Sequence, residues 1–265
     1  MLTIKEYVAL HKEELKNEIS QFDEKINFAI ISMNDDEASK AYIKGKLKDC
    51  EEVGINASVV RIPLDASEEE LDNLIIKLNN DDSVHGLIVQ MPLPKHIDEE
   101  RVKRLVDPRK DVDGFNPLSK VDPCTPKGII NLLKRLDYDF VGKNAVVIGR
   151  SNIVGRPMAT LLLNESANVT VIHSKTSQED FRKYVESADL IVVAVGKKYL
   201  LNSSFNLKKS AYIIDVGINR VDGKLYGDCE VNLDVTYQTP VPGGVGLLTR
   251  LTLLDNLLEI YKDQK

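Results

Sequence analysis

Tyr42 and Lys46 stand four residues apart in a segment of helical character, Glu37–Val53, so one face of a helix carries both. A tyrosine ring packs on a flat substrate, and a lysine held partly out of water beside it can act as acid or base. Taken alone, such a pair is more often a solvated helix face, and Lys40, Lys44 and Lys48 favour that reading. Gln90 ends an apolar run over residues 85–90 and is followed by Met91-Pro92-Leu93-Pro94. An amide at the C-terminal end of a strand lies where ligands bind in open α/β sheets. It could hydrogen-bond Lys46 or a substrate, or it could be a strand-end glutamine already satisfied. Asp111-Val112-Asp113-Gly114 sets two carboxylates on opposite sides of an extended segment, so one can face a cleft while the other pairs outside it. An aspartate can take paired hydrogen bonds from the N–H and amino edge of a pterin-like ring. An ordinary Asp-Gly turn would read the same way.

A second group of residues suits a dinucleotide. From Ala145 to Pro157 the chain reads Ala-Val-Val-Ile-Gly-Arg-Ser-Asn-Ile-Val-Gly-Arg-Pro: a buried strand, a glycine loop with a cation, then a helix start. Gly149 allows the tight turn, Gly155 lets the helix pack close to the sheet, and Pro157 suits its first turn. Free N–H groups at that helix start would face a pyrophosphate. The spacing is Gly-x-Ser-x-x-x-Gly and departs from the usual Gly-x-Gly-x-x-Gly. The next strand, residues 168–172, ends in His173-Ser174-Lys175-Thr176, with no carboxylate for a ribose 2′-hydroxyl. Arg150 could reach the same place, so the tip suits a 2′-phosphate, and NADP is expected over NAD. The bland alternative is a strand–turn–helix whose arginine only faces solvent. Thr239-Pro240-Val241-Pro242-Gly243-Gly244-Val245-Gly246 is a stiff-then-flexible loop whose glycines allow close approach to a flat ring such as nicotinamide, or simply turn the chain.

The elements that must position these residues alternate between strand and helix, which implies parallel sheets flanked by helices. Strands are expected over residues 25–33, 56–62 and 85–90, with helices over Glu37–Val53, Glu68–Asn79 and a short stretch after Asp98. Residues 107–126, rich in Asp, Pro, Lys and Gly, look like an interdomain connection. Thr125-Pro126 reads as cap and first turn of a helix over 127–136. Strands follow near Ala145, Val169, Leu190 and Ala211, and a leucine-spaced helix over 246–261 is expected to return to the first domain. The expected fold is α/β in two domains: an N-terminal α/β domain, 1–122 with 245–265, and a C-terminal Rossmann-like domain, 123–244.

With 265 residues, 43% hydrophobic and 29% charged, the chain can build real cores. A net charge of −6 and the lack of a long basic run argue against a nucleic-acid partner. No stretch approaches 18 uninterrupted apolar residues, so no membrane span is expected. Acids and bases run through the first twenty residues, unlike a secretory signal. Cys50, Cys124 and Cys229 are scattered and read as reduced thiols in the cytoplasm. His11, His85, His96 and His173 lack metal-ligand spacing, so no metal is expected.

Six segments occur in a fixed order: Tyr42-x-x-x-Lys46, Val89 to Pro94, Lys110-Asp111-Val112-Asp113-Gly114-Phe115, Pro123-Cys124-Thr125-Pro126-Lys127-Gly128, Gly149 to Pro157 and Pro240 to Gly246. Together they closely resemble the bifunctional methylenetetrahydrofolate dehydrogenase/methenyltetrahydrofolate cyclohydrolase family over nearly the whole chain. Asp215-Val216-Gly217-Ile218-Asn219 resembles that family's strand after the cofactor crossover. The resemblance implies a cytoplasmic homodimer with a folate cleft between two α/β domains. It implies Lys46 as the catalytic lysine, Gln90 tuning it, Tyr42 lining the folate site, and Asp113 holding the pterin. Pro242 and Gly243 join the substrate set. Gly149, Arg150, Ser151, Ile153, His173, Ser174 and Ile218 form the cofactor set, with Arg150, Ser151 and Ser174 on the 2′-phosphate. The chain also departs from the family pattern. Only nine residues separate Gly114 from Cys124, Leu247-Leu248 stand in place of Pro-Met, Arg250 replaces a small apolar residue, and Glu37 replaces a proline. The expected activity is NADP-dependent oxidation of 5,10-methylenetetrahydrofolate and hydrolysis of the methenyl product. The rivals are an NADP-dependent dehydrogenase of another small substrate, of shikimate type, and a nucleotide-binding homologue without catalysis.

Overall fold

The computed structural model describes residues 3–265. The chain divides into two compact units: an N-terminal unit of Val8–Cys124 with Arg250–Lys265, and a C-terminal unit of residues 3–7 with Thr125–Thr249.

The N-terminal unit is built from α1 (Ile4–Ile19) from Val8 onward, β1 (Asn27–Ser32), α2 (Glu37–Val53), β2 (Asn56–Arg61), α3 (Glu68–Asn79), β3 (Gly86–Gln90) and α4 (Glu99–Leu105). Its sheet is parallel in the order β2-β1-β3, with Ser32 of β1 in register with Gln90 of β3. Both faces of β1 and β3 are covered, which is why these strands are continuous apolar runs. Ala29, Ile31, Leu87 and Val89 pack with Leu71, Ile75 and Val102 from α3 and α4. Side chains alternate along a strand, so Ile30, Ser32, Ile88 and Gln90 face the other way, toward α2. Helix α2 starts at Asp36, whose carboxylate accepts the Ser39 N–H at 2.9 Å, and stops at Gly54, left-handed at φ 88°. Helix α1 has no counterpart in the sequence reading, because its charges dilute the apolar stripe.

Residues 107–123, most of the expected connection over 107–126, are packed structure. The backbone N–H of Leu87 donates to Lys110 O at 2.7 Å, so this segment pairs beside β3. Buried Lys110 donates to Leu78 O and Asp81 O at 3.1 and 2.7 Å. The Asn116 side chain donates to Arg104 O and Val106 O, closing the short loop after Gly114.

The C-terminal unit contains α5 (Cys124–Arg135), β4 (Asn144–Ile148), α6 (Gly155–Asn164), β5 (Asn168–Ile172), α7 (Gln178–Ser187), β6 (Leu190–Val193), β7 (Tyr212–Asp215), β8 (Asn219–Val221), β9 (Lys224–Tyr226), β10 (Tyr237–Gln238) and the start of α8 (Val245–Asp263). Five parallel strands run β10-β7-β6-β4-β5, and β8 with β9 forms a hairpin. Strand order reverses at β4, between β5 and β6, the position where open α/β sheets bind ligands. Helix α5 begins at Cys124, so Thr125 lies inside the first turn and is not its cap. Its hydroxyl shares a 2.8 Å hydrogen bond with that of Thr249. From Arg250 onward α8 belongs to the N-terminal unit, where buried Asn256 donates to Val112 O and Asp122 O at 2.9 and 3.0 Å.

Among the described residues, no helix is long and apolar enough to cross a membrane, and no His, Cys, Asp and Glu group is arranged to hold a metal. All three cysteines are buried thiols, and burial pushes Cys50 up to about 12.

Candidate functional site

Helix α2 buries Lys46 while leaving Lys44 and Lys48 exposed, so the solvated-face alternative fits those neighbours and not Lys46 itself. Its Nζ donates to Gln90 Oε1 at 3.2 Å and lies 5.1 Å from the centroid of the Tyr42 ring. Gln90 donates its own Nε2 to Met91 O at 2.7 Å, which fixes the amide with its oxygen toward the lysine. An ammonium at that distance from a ring face is attracted by the ring's quadrupole. The cluster therefore offers a buried nitrogen that can carry a proton, an amide that orients it, and an aromatic wall.

One turn further along α2 is Asp49, which the sequence reading missed. Its buried carboxylate accepts from Arg250 Nε at 2.9 Å and is paired with Lys12. Arg250 lies across Gly45, where any Cβ would run into the guanidinium. The arginine that departs from the family pattern thus braces the helix carrying Lys46. Leu248, another departure, is fully buried.

Asp111 and Asp113 have different surroundings. The Asp111 carboxylate is buried and accepts the Asn116 N–H at 2.7 Å. Burial pushes it up to about 7, against the N–H groups of Asn116, Phe115 and Gly114. Asp113 is half-buried; burial raises its carboxyl, and the Lys46 charge opposes that rise. Asp111 therefore holds the loop and Asp113 lies within the field of Lys46. Gly114, at φ 69°, makes the turn between Asp113 and the rest.

A stability prediction follows for Asp111. Its folded value lies above the unfolded ~3.9, so its neutral form is the one folding favours. That contribution is present below about pH 4 and is lost as pH rises through about 7. Asp111→Asn should remove this slope, so the variant gains on the parent between pH 5 and pH 8. Thermal unfolding at both pH values checks it, and parallel curves would take the assignment away.

In the C-terminal unit, Gly149 has φ 121° and faces Ala194 O so closely that no side chain fits. A Cβ at Gly155 would meet Gly149 O and lie 2.8 Å from Arg150 Cα. Both positions are the close approaches that a glycine loop exists to allow. Ser151 Oγ accepts from Val154 and Gly155 N–H at 3.2 and 3.3 Å, so its hydroxyl ties the glycine loop to the start of α6. A groove of about 710 Å³ beside β4, β5 and β6 is lined by Gly149, Arg150, His173, Ser174, Thr176 and Lys197, among others, and by no Asp or Glu. Arg150 is exposed and in no ion pair among the described residues. His173 Nδ1 accepts the Lys175 N–H at 3.2 Å, which shapes the tip of β5. Ser151, Ile153 and Ile218 lie outside that lining. Ile153 and Ile218 are exposed at 38% and 63%, on the loop before α6 and just after β7. Pro242 and Gly243, the latter at φ 91°, lie in the turn leading into α8.

Asp228, and the bonding role of Asp215, escaped the sequence reading. Asp228 is fully buried and accepts from the consecutive N–H groups of Val195, Gly196 and Lys197 at 2.8, 2.9 and 2.7 Å, and from Asn219 Nδ2 at 2.9 Å. Asp215 accepts from Gly217, Asp228 and Cys229 N–H. A Cβ on Gly217 would strike Asp228, and one on Gly227 would strike Asp215. Two glycines facing two aspartates were the available signal.

Residues 2–113 match the family described as tetrahydrofolate dehydrogenase/cyclohydrolase, catalytic domain. Residues 123–265 match its NAD(P)-binding domain. The chain is 44% identical to the bifunctional protein FolD of Exiguobacterium sibiricum, over 97% of this chain and 98% of that one. The crystal structure of FolD from Campylobacter jejuni superposes with a TM-score of 0.95 at 43% identity, covering 100% and 99% of the two chains. The Trypanosoma brucei enzyme, complexed with NADP cofactor and inhibitor, superposes at 0.91 and 32% identity, covering 97% and 95%. Shikimate dehydrogenase from Aquifex aeolicus reaches only 0.52 at 13% identity, which shows a shared fold alone.

Proposed function

Because the chain belongs to the tetrahydrofolate dehydrogenase/cyclohydrolase family, we propose that it oxidises 5,10-methylenetetrahydrofolate with NADP⁺ and hydrolyses the methenyl product to 10-formyltetrahydrofolate. The observation that carries this reading is the buried Lys46–Gln90 pair under the Tyr42 ring, with Asp113 within its field. Tyr42 packs against the folate, and Asp113 holds the pterin edge. Lys46 takes and returns the proton that hydrolysis moves, while Gln90 keeps the amine aimed. We assign Pro242 and Gly243 to the substrate set on the family resemblance.

The groove beside β4 suits an NADP pyrophosphate and 2′-phosphate: Gly149 and Gly155 admit the backbone contact, and Arg150, Ser151, His173 and Ser174 supply charge and hydroxyls. Ile153 and Ile218 offer apolar contact to the same cofactor. When bound, NADP⁺ supplies the hydride acceptor. We assign residues 1–122 with 245–265 to the folate domain and 123–244 to the NADP domain. The reading includes a cytoplasmic homodimer; buried free thiols support the compartment, and the family resemblance supports the dimer.

Incubation with methylenetetrahydrofolate and NADP⁺, following NADPH absorbance and then loss of the methenyl absorbance, tests both steps at once. No NADPH would overturn the reading, and NADPH made only from a substrate such as shikimate would favour the rival. For the cofactor, charge-assisted phosphate bonds contribute roughly 1.5–3 kcal/mol each. Arg150→Ala should therefore raise the KM for NADP⁺ by about ten- to a hundredfold and leave that for NAD⁺ nearly unchanged. Equal efficiency with both cofactors in the parent would contradict the assignment. For the folate, Asp113→Ala should weaken binding by about ten- to a hundredfold, by the same magnitude per charged hydrogen bond. Calorimetry showing intact NADP⁺ binding and lost folate binding is the expected pattern; normal folate affinity would reduce Asp113 to a turn residue.

A further inference from the structure

Buried side-chain polar atoms nearly always find a hydrogen-bond partner inside the protein. Two that do not, Ser32 Oγ and Asn34 Oδ1, sit two residues apart at the C-terminal end of β1. Other such atoms have an evident setting: those of Asp72 and Arg101 belong to one ion pair, and Tyr138 packs among aromatic rings. Ser32 is 2% exposed and lies in no ion pair or ring cluster. Leaving its hydroxyl unpaired costs stability, and Ala at that position would avoid the cost.

The place of Ser32 in the sheet says what the hydroxyl is near. Ser32 is the register partner of Gln90, and adjacent strands lie ~4.8 Å apart. The neighbours of both residues, Ile31 and Val89, point into the core under α3 and α4. Ser32 and Gln90 therefore share the opposite face, the one from which Lys46 reaches Gln90. Gln90 is committed at both ends, to Lys46 and to Met91 O. Asn34 donates its amide to Pro92 O at 3.2 Å, which ties the end of β1 to the loop after β3 and leaves its oxygen unused. The strand end thus holds one uncommitted hydroxyl on the face from which Lys46 reaches Gln90, with an uncommitted amide oxygen two residues further on.

We propose that Ser32, with Asn34, positions the water that hydrolyses the methenyl group, an inference that rests on the function proposed above. The water donates one hydrogen to the Ser32 or Asn34 oxygen and the other to the Lys46 amine. One of its two lone pairs then points at the one-carbon bridge. Its oxygen bonds to the methenyl carbon as one proton passes to Lys46. The second hydroxyl proton then leaves as the carbonyl forms, the bond from carbon to N5 breaks, and N5 takes a proton from Lys46. The formyl group stays on N10, and one proton is released for each cationic methenyl group and water consumed. Hydride transfer consumes no water, so it does not need Ser32.

Ser32→Ala separates the two steps. Hydrolysis of methenyltetrahydrofolate should slow about tenfold in kcat, with its KM and the dehydrogenase kcat changed by less than twofold. The melting temperature should hold or rise, because an unpaired hydroxyl has gone. Ser32→Thr keeps the hydroxyl and should recover at least half of the hydrolysis. Unchanged hydrolysis in Ser32→Ala, an equal loss of both activities, or a threonine variant as slow as the alanine one would each overturn the inference. A parent protein that makes NADPH but hydrolyses nothing would instead overturn the second half of the proposed function.

Discussion

Lys46→Met should lose hydrolysis of methenyltetrahydrofolate down to the background rate while keeping its affinity for NADP⁺. The two steps ask different things of this nitrogen. Hydride transfer requires donor and acceptor to be aligned within near-attack distance, which depends on shape and charge around the ring. Hydrolysis requires a group that takes a proton and gives it back, which a thioether cannot do. General acid–base help of this kind is worth about 10²–10⁴-fold. Methionine fills nearly the same volume beside Tyr42, so packing against the ring survives and the effect reads as chemistry. Because Lys46 is buried and aimed at Gln90 Oε1, its removal also leaves the amide oxygen without its donor. A modest loss of melting temperature should accompany the loss of rate. Gln90→Glu supplies the complementary case: a carboxylate there would hold the ammonium charged, and hydrolysis should fall while the fold stays intact. If hydrolysis in Lys46→Met remains within a few-fold of the parent, the proton route runs elsewhere and the mechanism fails.

What could be read in the sequence followed from local periodicity. The buried strands announced themselves as short apolar runs: the expected strand over 25–33 is Asn27–Ser32, and that over 85–90 is Gly86–Gln90. Helices α2 and α3 begin and end where their caps stand, at Asp36, Gly54 and Ser67. The i,i+4 spacing placed Tyr42 and Lys46 on one face but could not say that this face is buried, since that depends on β3 lying beneath it. Residues 107–126 looked like a connection because Asp, Pro, Lys and Gly are common in loops. Lys110 is nevertheless buried, because Leu78 O and Asp81 O, some thirty residues away in sequence, accept its protons. Thr125 is a good cap by type, yet α5 starts one residue earlier and Thr249 takes its hydroxyl. The β8–β9 hairpin was legible and went unread: Asp222-Gly223, with φ 49° and 76°, is the two-residue turn that such hairpins favour.

Asp228→Ala should have the largest effect on stability, because a single fully buried carboxylate holds three consecutive backbone N–H groups and a side-chain amide. Hydrogen bonds to a charged group contribute about 1.5–3 kcal/mol each. The N–H groups belong to an exposed loop, Val195 to Lys197, so water will replace some of what is lost. A net cost of about 3–4 kcal/mol is expected, and for a chain of this size that lowers the melting temperature by roughly 10 °C. The loop is also one wall of the groove proposed for NADP, through Ala194, Val195 and Lys197, so NADP⁺ affinity should fall about tenfold as the wall loosens. Asp228→Asn keeps one acceptor but turns an N–H₂ group toward backbone donors, and it should recover less than half of either loss. The route from this residue to the cofactor is purely geometric: the carboxylate fixes three donors, the donors fix the loop, and the loop shapes the groove. Arg150 stays untouched throughout, so the preference for NADP⁺ over NAD⁺ should survive in both variants even as affinity drops. A melting temperature within 2 °C of the parent, with unchanged NADP⁺ affinity, would show that the loop holds its shape without Asp228.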